Sequence, residues 1–242
     1  MVSKNQIKLI TSLQHKKYRN EHQLFIAEGV KVIQELLLSN IVLEHLFVTE
    51  AIFESVNASQ KTEIKPADMK RISTLTSPSS CLAIFKIPAA GQIEDKGLIV
   101  ALDDIRDPGN LGTIIRLCDW FGVKQLVCSN ETVDVYNPKV IQATMGSITR
   151  VKINYVDLNE YIGRTSLPVF GTFMDGNNIY KEILPTDGIL VFGNEANGIS
   201  AHLEKKIKNR IAIPRFGDMQ QTESLNVATA TAIFLSEFRR SS

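Results

Sequence analysis

The sequence predicts an α/β protein: an open parallel sheet with helices on both faces, preceded by a smaller α/β domain. Three observations predict it. From Gly97 onward, short apolar runs of strand length alternate with longer runs of helical period. The runs at 98–102 and 188–192 are almost wholly apolar, as strands are when both faces of a parallel sheet are covered. Pro88, Gly91 and the small residues between them read as a linker, which sets residues 1–90 apart from 97–242.

The N-terminal domain opens with a basic helix whose apolar stripe is Ile7, Leu9, Ile10 and Leu13. A strand follows at 24–26, then a helix over 28–38 with Val30, Ile33, Leu36 and Leu37 on one side. Strands at 46–49 and 82–85 flank the Ser/Thr/Pro-rich stretch 73–80. In the second domain strands are expected at 98–103, 125–129, 151–156, 168–173, 188–193 and 210–213. Helices are expected at 110–121, 137–149, 157–165, 200–208 and 224–240.

Composition narrows the class. A chain of 242 residues with 44% hydrophobic and 22% charged residues can bury a real core and resembles ordinary globular proteins. A formal net charge of +1 excludes a global field that would draw the whole molecule onto nucleic acid. Charge is uneven, however. Lys4, Lys8, Lys16, Lys17, Arg19 and Lys31 face only Glu21 and Glu28 within residues 1–31. A solvated helix face and a nucleic-acid contact both fit that cluster. Cys81, Cys118 and Cys128 lack metal-ligand spacing, so they read as unreactive thiols of a reducing compartment, and no metal is expected. The N-terminus lacks the apolar core of a secretory signal and no run has membrane-spanning length, so a cytoplasmic location without membrane association is expected.

Chemistry is concentrated in three loops. In open parallel sheets ligands lie beyond the carboxyl ends of the strands. Asp107, Pro108, Gly109 and Asn110 turn out of the first strand of the second domain, and Arg116 follows Asn110 by about one and two-thirds helical turns. Gly193 and Gly198 bracket Glu195 after the apolar run at 188–192. Ile213 and Pro214 precede Ser224, Leu225, Asn226 and Val227 at the head of an Ala/Thr-rich helix, where Ser224 is a good N-cap. Each loop alone is also readable as an ordinary βα turn. Gly109 and Gly112 do not form a dinucleotide fingerprint and no Walker A sequence is present, which argues against nicotinamide and nucleoside-triphosphate enzymes.

On these residues the chain resembles the SpoU (TrmH-type) RNA ribose methyltransferases of the SPOUT superfamily. Asn110, Gly112 and Arg116 are similar to the family's first motif. Gly193, Glu195 and Gly198 match its second, and Ile213 and Pro214 with Ser224 to Val227 its third. Phe25, Ile26, Ala27, Glu28 and Gly29, with the basic helix before them, resemble the family's RNA-binding extension. One departure is Arg215, where the family commonly carries Met after the Ile-Pro pair; the polar loop that continues to residue 223 is also long.

The resemblance implies a second domain whose last segment threads a deep trefoil knot, which no periodicity would have suggested. It implies S-adenosylmethionine as cofactor, with Gly193, Ile213 and Leu225 lining its pocket, and a homodimer that completes the site. Arg116 would activate a ribose 2′-hydroxyl of RNA, with Asn110, Glu195, Ser224 and Asn226 orienting the groups around it. Lys16, Lys17 and Arg19 would contact phosphates of the RNA, ribosomal rather than transfer RNA by analogy with members built with such an extension. A guanidinium is a poor base, so Arg116 either takes the proton or stabilises the alkoxide while the proton leaves elsewhere; the sequence leaves both open. Two other readings stay open for the chain: a catalytically silent RNA-binding or assembly factor that retained the fold, and a methyltransferase that modifies a base or uses a protein acceptor.

Overall fold

The computed structural model describes residues 2–216 and 224–240, so the segment 217–223 of the long polar loop lies outside the described residues. The chain divides into two compact units, and the division is not a single cut. One unit comprises Met1–Ala89 with Asp134–Thr149; the other comprises Ala90–Val133 with Arg150–Ser242.

The first unit is built on a four-stranded mixed sheet in the order β1-β4-β2-β3, from β1 (Leu24–Glu28), β2 (Leu43–Val48), β3 (Lys61–Glu63) and β4 (Cys81–Lys86). One face packs Ile26, Leu82 and Ile84 against Ile10 of the helix Lys4–Ser12, its C-cap Leu13, and Met69 and Ile72 of the helix Pro66–Ile72. Ile7 and Leu9 join that cluster, so the stripe read from the sequence is the packed one. Phe25 and Phe85, of opposite parity, stack 5.7 Å apart towards the other face, where Tyr136 lies 5.0 Å from Phe25. The segment 134–149 therefore completes this core. Its helix, Pro138–Thr144, buries Val140, Ile141 and Thr144 and packs on β1. A helix was expected over 137–149, but as part of the alternating second domain; its buried side chains assign it to the first unit instead.

Other details depart from the sequence reading. The basic N-terminal helix is two, Lys4–Ser12 and Lys16–His22, because Leu13 closes the first and the chain re-enters a helix after His15. In the helix Val30–Leu37 the buried positions are Val32, Ile33 and Leu36, while Val30 is exposed. Glu28 is buried and takes hydrogen bonds from the Ser73 hydroxyl at 2.6 Å, the Thr74 N–H at 2.6 Å and the Thr74 hydroxyl at 2.5 Å. That carboxylate latches the Ser/Thr-rich stretch onto the sheet, since a buried charge persists only when its lone pairs are satisfied.

The second unit is a six-stranded, all-parallel sheet in the order β10-β8-β9-β5-β6-β7. The strands are β5 (Leu98–Leu102), β6 (Gln125–Ser129), β7 (Lys152–Val156), β8 (Val169–Asn178), β9 (Gly188–Phe192) and β10 (Asn209–Ala212). Alternate residues feed two cores. Ile99, Ala101, Val127, Ile189 and Val191 pack with Leu158, Tyr161 and Ile162 of the helix Leu158–Arg164 and with Leu203. On the other face Phe192 meets Phe234, and Phe170 meets Phe238, both edge to face, under the C-terminal helix Val227–Arg239. That helix also packs on Pro108–Trp120. Among the described residues no helix is long and apolar enough to cross a membrane.

Strand order locates the site. From β5 the chain adds β6 and β7 on one side, then returns so that β8, β9 and β10 occupy the other. The loops after β5 and β9 therefore diverge at a topological switch point, where a parallel sheet opens a crevice at its carboxyl edge.

Candidate active site

The loop after β5 starts with two carboxylates. Asp103 is buried and its Oδ2 accepts the Ser200 N–H at 2.7 Å. Asp104 adopts a left-handed backbone (φ 58°) and pairs with Arg106 at 2.8 Å. Asp107 then caps the helix Pro108–Trp120 by accepting the Asn110 N–H at 2.8 Å. Asn110 consequently sits in the first helical turn, two residues deeper than the helix start expected at 110.

The loop after β9 is tied to the same point. Asn194 donates from Nδ2 to the Asp104 carbonyl at 2.7 Å, while its Oδ1 accepts the N–H groups of Ala196 and Asn197. Backbone bonds from Asn194 N–H to the Gly198 carbonyl (3.0 Å) and back (2.8 Å) close a tight ring around Glu195. This closure explains the two glycines. A Cβ on Gly193 would collide with the backbone of Gly198 and Ile199, and Gly198 has φ +67°. Gly193 is thus required first by its own loop.

Within this frame three motif residues join side chain to side chain. Asn226 Nδ2 donates to Asn110 Oδ1 at 2.9 Å, and Asn110 Nδ2 donates to Glu195 Oε1 at 2.7 Å. The polarity is fixed at its origin, because Asn226 Oδ1 is already engaged as N-cap by the N–H groups of Ala228 (3.0 Å) and Thr229 (3.2 Å). Asn226 must therefore point its amide nitrogen at Asn110, which then can only donate to the carboxylate. The cap expected at Ser224 is Asn226 instead; the helix begins at Val227, and Ser224 lies two residues upstream of the cap, exposed. Ser200, which precedes the short helix Ala201–Glu204, makes no side-chain capping bond; its own N–H is held by Asp103.

Arg116 is not part of that chain. It makes no hydrogen bond or ion pair with another described residue and lies on an exposed stripe with Gly109, Thr113 and Trp120. Trp120, one turn further along, is 84% exposed. Gly193 directly follows β9 and Ile213 directly follows β10, both half-buried at the carboxyl edge. Leu225 adjoins Asn226 and leaves 49% of its surface exposed.

The basic helix separates its cations. Lys16 and Lys17 are exposed. Arg19 is 2% exposed, donating to the Leu13 and Gln14 carbonyls and pairing with Asp134 at 2.5 Å. It anchors the helix to the inserted segment and presents no donor to RNA, which corrects its expected role. Sequence reasoning also missed Asp103, Asp104 and Asn194, although two carboxylates at the end of an apolar strand were a legible sign.

Comparison with known proteins adds the family. The SpoU rRNA Methylase family matches residues 97–236, and the MRM3-like substrate binding domain matches residues 4–83. This chain belongs to the SpoU rRNA methylase family. It is 28% identical, over 98% of its length and 97% of the relative's, to the 23S rRNA (guanosine(2553)-2′-O)-methyltransferase RlmP of Bacillus subtilis. A solved TrmH-family protein from Porphyromonas gingivalis shares 40% identity over the whole of both chains with a TM-score of 0.90. An AdoMet-bound rRNA methyltransferase from Sinorhizobium meliloti superposes with a TM-score of 0.88 at 28% identity, covering 99% of this chain and 97% of that one.

Proposed function

We propose that this protein transfers the methyl group of S-adenosylmethionine to a ribose 2′-hydroxyl of ribosomal RNA. The observation that carries the reading is the Asn226–Asn110–Glu195 chain, which draws the family's three motifs to one crevice at the sheet's switch point. Gly193, Ile213 and Leu225 would hold S-adenosylmethionine, which would supply a methyl group already activated by its sulfonium. What remains for the protein is to align the acceptor and manage its proton.

A guanidinium is a permanent cation, so Arg116, exposed at the surface, stabilises the developing alkoxide and holds the adjacent phosphate, while the 2′-hydroxyl proton is released to solvent. Asn110 and Asn226 fix the Glu195 carboxylate by a directed hydrogen bond, and the exposed Ser224 contacts the acceptor ribose. An RNA acceptor follows from the chemistry, because DNA lacks the 2′-hydroxyl. Residues 1–90 act as the RNA-binding domain, joined in one unit by the segment 134–149, and the rest of 97–242 acts as the catalytic domain, knotted as in the family. A homodimer completes the site; an exposed Arg116 with no hydrogen bond or ion pair among the described residues, one turn from the exposed Trp120, supports this. The location is cytoplasmic.

The test is transfer of labelled methyl groups from S-adenosylmethionine to unmodified ribosomal and transfer RNA, with the product digested to nucleosides. Label recovered as a 2′-O-methyl nucleoside from ribosomal RNA is expected. Label on a base, on protein, or only on transfer RNA overturns the reading, and failure to bind the cofactor favours a silent RNA-binding factor.

A further inference from the structure

The helix Lys16–His22 carries a row of exposed rings. His15, Tyr18 and His22 recur at helical spacing, all exposed. The rings of Tyr18 and His22 are nearly parallel (18°) with centroids 6.5 Å apart, and His15 meets Tyr18 edge-on at 6.4 Å. Lys17 Nζ lies 5.7 Å from the Tyr18 centroid, within cation–π reach. Lys16 and Lys17 make no ion pair with another described residue, and Glu21 is the helix's one acidic residue.

Solvating a helix face does not call for three rings. A cation beside nearly parallel aromatic faces is an arrangement that can hold an unpaired nucleotide: the base stacks on a ring and its phosphate meets the ammonium. Because Tyr18 and His22 are almost parallel, a base lying flat against one is parallel to the other. Bases within an A-form duplex are already stacked inside it, so this surface selects single-stranded RNA.

The buried side of the same helix supplies a second, independent observation. Seven residues make a marginal helix in isolation. Here Arg19 fastens it to Leu13, Gln14 and Asp134, so the helix that carries the rings is held in place before any RNA arrives. We infer that Tyr18 and His22 form a stacking platform for one unpaired base of the RNA substrate, with Lys17 on the neighbouring phosphate. The inference rests on the RNA reading above and adds the single-stranded element that the first unit recognises.

The experiment measures affinity of the full chain for a labelled oligoadenylate and for an RNA duplex of equal charge, with Tyr18→Ala, Tyr18→Phe, His22→Ala and Lys17→Ala. Tyr18→Ala is expected to weaken oligoadenylate binding by about 5- to 100-fold at unchanged salt slope, with Tyr18→Phe close to the original protein. His22→Ala weakens it less, and Lys17→Ala lowers the salt slope by about one. Duplex binding is expected to be insensitive to Tyr18. Equal affinity of Tyr18→Ala for oligoadenylate, equal losses on duplex and single strand, or a Tyr18→Phe as weak as Tyr18→Ala each overturn the platform. An original protein that binds neither RNA sinks the RNA reading itself, an outcome distinct from an unaffected Tyr18→Ala.

Discussion

Polar residues of the same kinds are put to opposite uses in the two units. In the first, Glu28 and Arg19 are buried, and every hydrogen bond they make holds one piece of backbone against another. In the second, Asn110, Glu195 and Asn226 bond to one another at the surface, where the chain they form ends on a carboxylate open to solvent. A motif residue can therefore be essential to a family for its fold or for its chemistry. Burial, which a sequence does not print, tells the two apart.

The sharpest way to break this comparison is Arg19→Ala. Removing one partner of a buried ion pair leaves Asp134 uncompensated, so a loss of about 3–5 kcal/mol in urea unfolding is expected. If Arg19 were a phosphate ligand instead, stability would change by less than about 0.5 kcal/mol and the salt dependence of RNA binding would fall.

Arg116→Ala should do the reverse. Methyl transfer is expected to drop by roughly 10²- to 10³-fold, while the melting temperature and calorimetric cofactor affinity stay put. An active Ala variant would remove Arg116 from the mechanism.

Asn226 allows a finer cut because it has two jobs. Asn226→Asp keeps an oxygen to cap Val227–Arg239 but loses the donor to Asn110, so stability should hold while transfer falls by about tenfold. Asn226→Ala should also lose about 1 kcal/mol of stability from the missing cap. Equal activities for the Asn226→Asp variant and the original protein would show that the side-chain chain positions nothing.

The smallest effect concerns the thiols. Cys81, Cys118 and Cys128 are all buried, and burial pushes each thiol above its ordinary range. A disulfide reagent at pH 8 should leave all three unmodified in the native protein and react with them after denaturation. Rapid labelling in the folded state would contradict their burial.

Much of this molecule was legible in its sequence. The uninterrupted apolar runs at Leu98–Leu102 and Gly188–Phe192 announced strands covered on both faces, and period alone put most elements of the second unit within a few residues of their places. The three motifs that meet at the crevice were identifiable by residue type and spacing. The short strand Lys61–Glu63 and the helix Pro66–Ile72 were not, since three residues show no period and the helix carries few apolar positions.

Tertiary structure alone decided three things. It assigned 134–149 to the first unit, because what a short amphipathic helix covers depends on which apolar face is left open, and Phe25 and Phe85 leave one. It chose Asn226 over Ser224 as the cap, because only Asn226 can cap the helix and reach Asn110 at once. It turned Arg19 inward and left Lys17 outside, although both are cations on one seven-residue helix. Sequence records which groups can bond. Which bonds form depends on the neighbours that folding brings within about 3 Å, and those come from over a hundred residues away.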